Sequence, residues 1–143
     1  MNNNKKQNTI LIVDDEPEIR GLMQEIFTDE GYLTFTAKSA NEANTIIKNN
    51  SLDLVYLDIW MPEIDGVTLL KEWSEANRLN FPVIMISGHA TIETAVEATR
   101  LGAFDFIEKP LSIEKLVVSA EKALRTSKKM TGKDIALLFK NNC

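Results

Sequence analysis

Short apolar runs alternate with helical patterns along most of the chain, and this alternation constrains the fold more than any other feature. The first run, 9–13 (TILIV), is continuous and rich in β-branched residues, as expected of a strand buried on both faces. The helix after it opens at Pro17 and repeats its apolar residues at spacings of three and one, which is a single helical stripe. Four more strand-like runs follow, at 32–37, 52–57, 83–86 and 104–107.

Helix-capping residues stand before the later helical patterns. Ser39 or Asn41 would cap the second helix and Thr91 the fourth. The fifth helix would follow Ser112 and bury a stripe made of Ile113, Leu116, Val117, Ala120 and Leu124. Five strand–helix units in succession predict an α/β fold, with a parallel sheet covered by helices on both faces.

Length and charge narrow the functional classes. The chain has 143 residues, enough for one domain, and a net charge of −5, which disfavours a broad electrostatic contact with nucleic acid or an anionic membrane. The single cysteine, Cys143, cannot form an intrachain disulfide, and no apolar run is long enough to span a membrane. We predict a disordered N-terminus at 1–8, one domain at 9–126, and a linker or tail at 127–143 with a short amphipathic helix at 134–140.

Polar residues stand where the predicted strands end. Asp14 and Asp15 follow the first strand, Asp58 the third, Ser87 the fourth and Lys109 the fifth. Ligands of a doubly wound sheet bind beyond the carboxyl ends of its strands. The sequence therefore predicts that three carboxylates, a hydroxyl and an ammonium group converge at one edge of the sheet.

This set of groups fits phosphoryl chemistry assisted by a metal ion. Three neighbouring carboxylates repel one another unless a cation lies between them. Oxygen ligands of this kind suit Mg²⁺, with Mn²⁺ as a substitute. Beside a cation and Lys109, one carboxylate could remain ionised and attack phosphorus, and the Ser87 hydroxyl could bind the transferred group.

The segment 9–125 resembles the receiver domain of two-component response regulators. The resemblance is carried by VDDEP (13–17), LDIWMPEIDG (57–66), ISGHA (86–90) and FIEKPL (106–111), in this order. It looks most like the nitrogen-regulation class, whose members activate transcription with sigma-54 polymerase. The resemblance implies a flavodoxin-like fold with strand order 2-1-3-4-5, and phosphoryl transfer from a sensor histidine kinase to Asp58.

The same resemblance implies a metal site. Asp15 would bind Mg²⁺ directly and Asp14 mainly through water. Asp58 would supply a carboxylate oxygen, and Trp60 its backbone carbonyl.

It also implies a switch. Lys109 would pair with the phosphoryl group, next to a Lys-Pro bond that is often cis in this family. Ser87 and Phe106 occupy the hydroxyl and aromatic positions of the switch, and the surface that changes would be helix 4, strand 5 and helix 5 (91–125), which could serve as a homodimer face.

Two bulky residues depart from the usual pattern beside this site. Trp60 lies two residues after Asp58, and His89 lies two residues after Ser87. In the family these positions border the approach of the hydrolytic water, so the indole of Trp60 could slow self-dephosphorylation. His89, the only histidine, is more readily a surface residue than a base or ligand. Gly88 would let the backbone approach the phosphate because it has no Cβ.

Alternative functions differ from this one in the residues that they require. The nitrogen-regulation class continues into a linker, an ATPase domain and a helix-turn-helix domain, and 1–143 contains no GxxxxGK[ST] phosphate loop. The chain would therefore be an excised receiver, reaching DNA only through missing output domains, or a stand-alone receiver acting through protein contacts.

A haloacid-dehalogenase-type phosphatase would need a second acid at the position of Trp60. A flavin or dinucleotide module would need a glycine-rich turn after strand 1, and a degenerate receiver would lack site residues. We expect a cytoplasmic regulatory phosphoacceptor rather than an enzyme acting on a separate substrate.

Overall fold

The computed structural model describes residues 7–129 of the chain, so the predicted helix at 134–140 lies outside the described residues. Strands and helices alternate strictly along this part. The elements are β1 Thr9–Val13, α1 Pro17–Asp29, β2 Leu33–Ala37, α2 Ala40–Asn49, β3 Leu54–Asp58, α3 Gly66–Glu75, β4 Val83–Ser87, α4 Ile92–Arg100, β5 Asp105–Glu108 and α5 Ile113–Lys129.

All strand pairs are parallel, and their order in the sheet is β2-β1-β3-β4-β5. This confirms the predicted topology. The central strands β1, β3 and β4 are buried along their whole length, which explains why their sequences are continuously apolar. β2 and β5 form the edges and are partly exposed.

The helices pack on both faces of the sheet, as predicted. On one face, Leu57 and Met85 contribute to a core that includes Trp73 of α3. On the other face, Tyr56 of β3 stacks on Phe27 of α1, with ring centroids 5.0 Å apart. The Tyr56 hydroxyl also donates to the carbonyl of Leu116 in α5, at 2.9 Å. Neighbouring residues of β3 therefore anchor opposite layers, which fixes the orientation of the strand.

Side-chain caps set where several helices begin. Ser39 accepts a hydrogen bond from the Glu42 amide, so the cap of α2 is Ser39 and not Asn41. Asp65 caps α3 and Thr91 caps α4 in the same way. α1 differs, because its N-cap residue, Glu16, makes no capping hydrogen bond with its side chain.

The structure corrects several predicted boundaries by one or two residues. β3 begins at Leu54 rather than at position 52; before it, the Asp53 carboxylate, and not a backbone carbonyl of this segment, accepts from the Thr9 amide at 2.7 Å. β5 covers 105–108 rather than 104–107, β2 begins at Leu33, and β4 includes Ser87. The stripe predicted for α5 is also too long, since Ile113 at the start of the helix is 61% exposed.

Candidate functional site

The polar residues predicted to converge lie at the carboxyl edge of the sheet. Asp14 follows β1, which is the immediate neighbour of β3, the strand that ends at Asp58. Ser87 ends β4, and Lys109 follows β5. A backbone hydrogen bond from the Lys109 amide to the Ser87 carbonyl, 2.8 Å long, joins these last two strand ends. The parallel topology thus brings together residues that are up to 95 positions apart in the sequence.

Four carboxylates form a cluster at this edge. One oxygen each from Asp14, Asp15, Glu16 and Asp58 lies within 4.8 Å of the others. Asp14 and Asp58 are buried, whereas Glu16 is exposed. Glu16 was missed as a site residue from the sequence, although it stands between Asp15 and Pro17. Its position beside the acid pair was the available signal, but an acid at the start of a helix is also favoured by the helix dipole alone.

Lys109 places one ammonium group among these acids. Its Nζ lies 2.9 Å from Glu16 Oε1, 3.0 Å from Asp14 Oδ2 and 3.6 Å from Asp58 Oδ1. Only 13% of the lysine side chain is exposed. The cation therefore lies closest to Glu16 and Asp14 and farther from Asp58.

Burial and crowding change the proton affinity of the site. Burial, followed by the charge of Asp14, raises the pKa of Asp58 to about 7, although the Lys109 charge opposes the change. Burial also raises the pKa of Asp14. Burial by itself would lower the pKa of Lys109, but its contacts with Glu16 and Asp14 outweigh this and raise it. One lysine therefore does not neutralise the cluster, and a carboxyl group here is easily protonated.

The cluster has the properties of a divalent-cation site. Its donors are carboxylate oxygens, which suit hard cations such as Mg²⁺. Asp14 Oδ2 is buried, and its partner among the described residues is the Lys109 ammonium, 3.0 Å away, which it shares with Glu16. A buried carboxylate that shares one ammonium with other acids is only partly compensated, and coordination to a divalent cation would satisfy it. The residues present therefore fit a bound divalent cation.

The loops after β3 and β4 are joined beside the cluster. The Trp60 indole nitrogen donates to the His89 carbonyl oxygen at 3.4 Å. The His89 amide in turn donates to Ser87 Oγ at 3.1 Å, and Ser87 is fully buried. Trp60 is 53% exposed and His89 also faces solvent. Phe106, the aromatic residue predicted for the switch, is half-buried on β5 and packs against the core shared by β4 and α3.

Gly66 is a glycine that close packing requires. A Cβ at Gly66 would lie 2.1 Å from the Asp58 carbonyl oxygen, and the Gly66 amide donates to the Ile59 carbonyl at 2.7 Å. A Cβ at Gly88 would meet only the Lys109 side chain, at an ordinary 3.8 Å. The first turn of α3 is thus packed directly on the backbone that carries Asp58.

The fold and this site define a class of α/β protein with an acidic cluster and a lysine at the carboxyl edge of a 2-1-3-4-5 sheet. Residues 10–121 match the family model described as the response regulator receiver domain, and the chain belongs to this family. Among the described residues, none forms a helix long and apolar enough to cross a membrane.

The proteins to which this chain is similar include a nitrogen assimilation regulator. The chain is 49% identical over 119 residues to the nitrogen assimilation regulatory protein NtrX of Azorhizobium caulinodans, covering 82% of this chain and 26% of that protein. The receiver domain of NtrX from Brucella abortus is 49% identical, with a TM-score of 0.76 over 82% of this chain and 98% of that one. The beryllofluoride-activated NtrC4 receiver domain dimer is 38% identical, with a TM-score of 0.78 over 83% of this chain and 98% of that one. The chain spans about a quarter of the length of the curated relatives it matches.

Proposed function

We propose that the chain is a phosphorylation-controlled signalling switch, in which Asp58 accepts a phosphoryl group from a sensor histidine kinase. The observation that carries the proposal is the position of Asp58. Its carboxylate ends a buried strand, lies within 4.8 Å of three other carboxylates, and has the Lys109 ammonium 3.6 Å away. The proposed role is regulatory rather than enzymatic, because the reactions that we propose for the chain are its own phosphorylation and dephosphorylation.

In the proposed step, an Asp58 carboxylate oxygen forms a bond to phosphorus while the bond from phosphorus to the histidine nitrogen of the kinase breaks. The electron pair leaves with the imidazole nitrogen, which then takes up a proton. Asp58 must be ionised to attack, and because its pKa is raised, a further positive charge at the site would favour the ionised form. Lys109 stabilises charge on the transferred group, and the Ser87 hydroxyl donates to one of its oxygens.

The further charge is a divalent cation, Mg²⁺ or its substitute Mn²⁺. Asp14, Asp15, Asp58 and the Trp60 backbone carbonyl would hold it, and Glu16 lies within the same group of carboxylates. When bound, the cation would neutralise the acids and stabilise negative charge on the phosphoryl oxygens. The buried Asp14 carboxylate, which shares the single Lys109 ammonium with Glu16 and Asp58, supports this assignment.

The output begins at Ser87 and Phe106. An aspartyl phosphate adds charge and strong acceptor oxygens beside Ser87, and a movement of Ser87 toward it would let the half-buried Phe106 turn inward. The change reaches α4, β5 and α5 by shifting a pre-existing equilibrium between two states. This surface is the proposed face of a homodimer, and the receiver dimer reported for NtrC4 supports dimerisation as an output.

Trp60 is proposed to prolong the phosphorylated state. Its indole stands two residues after Asp58 and is tied to the loop after β4 through the His89 carbonyl. A bulky, tethered ring at this point would hinder a hydrolytic water. The His89 side chain itself is exposed, which supports a surface role rather than one as a base or a metal ligand.

The proposed biological output is control of transcription in the cytoplasm. The similarity to NtrX supports it. Contact with sigma-54 polymerase and with DNA would belong to an ATPase domain and a helix-turn-helix domain of the kind found in the nitrogen-regulation class. The segment 9–126 would be the receiver and 127–143 the connection to that output.

The proposal is tested by intact-protein mass spectrometry after incubation with acetyl phosphate and Mg²⁺. The expected result is one added phosphoryl group on the wild type, absent in Asp58→Asn and in the presence of EDTA. A second measurement follows dimer formation by sedimentation on the same samples. An adduct of equal yield in Asp58→Asn, or none on a wild type that binds Mg²⁺ and is offered a phosphorylated histidine kinase, would overturn the proposal.

A further inference from the structure

Glu16 makes a contact that neither helix capping nor the metal site accounts for. It occupies the N-cap position of α1, where a side chain would ordinarily accept from the first turn of the helix. Its carboxylate makes no such bond. It extends instead to Lys109, 93 positions away, and accepts a hydrogen bond from the ammonium at 2.9 Å.

This contact competes with the use of Lys109 at Asp58. The backbone of Lys109 is fixed by its hydrogen bond to the Ser87 carbonyl, so the position of the ammonium depends on the side chain. In the structure, Nζ lies 0.7 Å nearer to Glu16 Oε1 than to Asp58 Oδ1, at 2.9 against 3.6 Å. A phosphoryl group on Asp58 would compete for the three donors of the ammonium, two of which point to Glu16 and Asp14.

Exposure distinguishes Glu16 from Asp14 as a partner of Lys109. The Asp14 side chain is completely buried, whereas 58% of the Glu16 side chain is exposed. A solvated carboxylate loses less when its partner leaves, because water replaces the lost hydrogen bond. Glu16 is therefore the partner that can release the lysine.

We propose that Glu16 is a positioning residue that restrains Lys109 in the unphosphorylated state and competes with the incoming phosphoryl group for its ammonium. The inference rests on the proposed function. Under it, Glu16 lowers occupancy of the phosphorylated state at a given donor concentration. Its effect passes through Lys109 and not through contact with the reacting atoms.

Three variants distinguish the effect of the length of the Glu16 side chain from the effect of its charge. Glu16→Gln keeps the length of the side chain but removes its charge, and Glu16→Asp keeps the charge but is too short by one methylene to hold Lys109 in the same way. Glu18→Gln is the matched control, because Glu18 is an exposed acid of the same first turn and makes no ion pair in the described residues. Thermal unfolding of each variant establishes that it is folded.

The measurement is binding of beryllofluoride at saturating Mg²⁺, with binding of Mg²⁺ alone measured beside it. Loss of a charge-assisted hydrogen bond that competes with the ligand should tighten beryllofluoride binding by about five- to tenfold in both Glu16 variants. Glu18→Gln should match the wild type. Mg²⁺ binding measured alone shows how much of any change arises from the altered carboxylate cluster, to which Glu16 belongs.

The outcomes that overturn the inference are distinct. Tighter binding by Glu16→Gln alone would show that only net charge matters, and weaker binding by both variants would make Glu16 a supporting ligand instead. Unchanged beryllofluoride binding in both variants would show that Glu16 does not restrain Lys109. Failure of the proposed function appears differently, as a wild type and a Glu18→Gln variant that bind Mg²⁺ but neither bind beryllofluoride nor accept a phosphoryl group, and the inference then falls with it.

Discussion

At the scale of single residues, Asp58 is held where its charge destabilises the fold in the absence of a metal ion. Its pKa in the folded protein is raised to about 7, by burial first and then by the Asp14 charge, whereas an unfolded chain would have about 3.9. Between these values the folded state binds a proton that the unfolded state releases. The free energy of unfolding in EDTA therefore falls as the pH rises through this window.

Asp58→Asn removes this cost and should stabilise the metal-free protein. One pKa unit corresponds to about 1.4 kcal/mol, so we expect a gain on the order of 2–4 kcal/mol at pH 8, shrinking toward zero near pH 4. Urea unfolding in EDTA at several pH values measures it. Glu72→Gln, at an exposed site on α3, is the control and should change little. A variant no more stable than the wild type at pH 8 would contradict the argument.

Trp60 leads to a kinetic prediction at the same scale. Trp60→Asn removes the bulk beside Asp58, so the phosphorylated form should lose its phosphoryl group about tenfold faster, since water reaches the acyl phosphate more freely. Trp60→Phe keeps most of the bulk but loses the indole donor to the His89 carbonyl. Mass spectrometry after removal of donor gives both lifetimes. If the two variants decay alike and as slowly as the wild type, the ring does not shield the site.

At the scale of secondary-structure elements, the start of α3 depends on one glycine. Gly66→Ala would place a Cβ 2.1 Å from the Asp58 carbonyl oxygen, and backbone must move to relieve it. We expect a loss of about 3 kcal/mol or more, with weakened Mg²⁺ binding, because the strain falls on the backbone that carries Asp58. Chemical denaturation and Mg²⁺ titration test both effects.

Gly21→Ala is the matched control for this substitution. Gly21 lies in the exposed middle of α1, and a Cβ added there would meet nothing within 4 Å. The same chemical change should therefore stabilise the protein by about 1 kcal/mol through helix propensity alone. Equal effects of the two substitutions would show that the close approach at Gly66 is relieved without cost.

The strands and helices also show which features the sequence predicts and which it does not. Apolar runs located the central strands β1, β3 and β4, because these are buried on both faces, and shorter mixed runs located the edge strands β2 and β5. The polar residues at the strand ends indicated the position of the site. Strand boundaries were less predictable, since a side chain takes the place of a backbone partner just before β3, where the Asp53 carboxylate accepts from the Thr9 amide. The Glu16 contact was missed because it joins two loops, and no local pattern encodes a pair 93 residues apart.

At the scale of the whole molecule, the acidic site couples metal binding to folding. Asp14, Asp15 and Asp58 are brought within 4.8 Å only when β1 and β3 are paired, so the unfolded chain offers no comparable site. A ligand that binds the folded state alone stabilises it by an amount that grows with the logarithm of its concentration, about 2.7 kcal/mol at one hundred times Kd. Mg²⁺ should therefore stabilise the protein as a whole.

We expect the melting temperature at pH 8 to rise by several degrees between EDTA and Mg²⁺ at about one hundred times its Kd. Calorimetry or circular dichroism measures the shift, with NaCl at equal ionic strength as the control for screening. Asp15→Asn should lose most of the Mg²⁺-dependent shift, whereas Glu72→Gln, at an exposed acid outside the carboxylate cluster, should keep it. A rise that NaCl reproduces, or one that Asp15→Asn retains in full, would mean that the acids lower the stability of the fold through repulsion without forming a specific metal site.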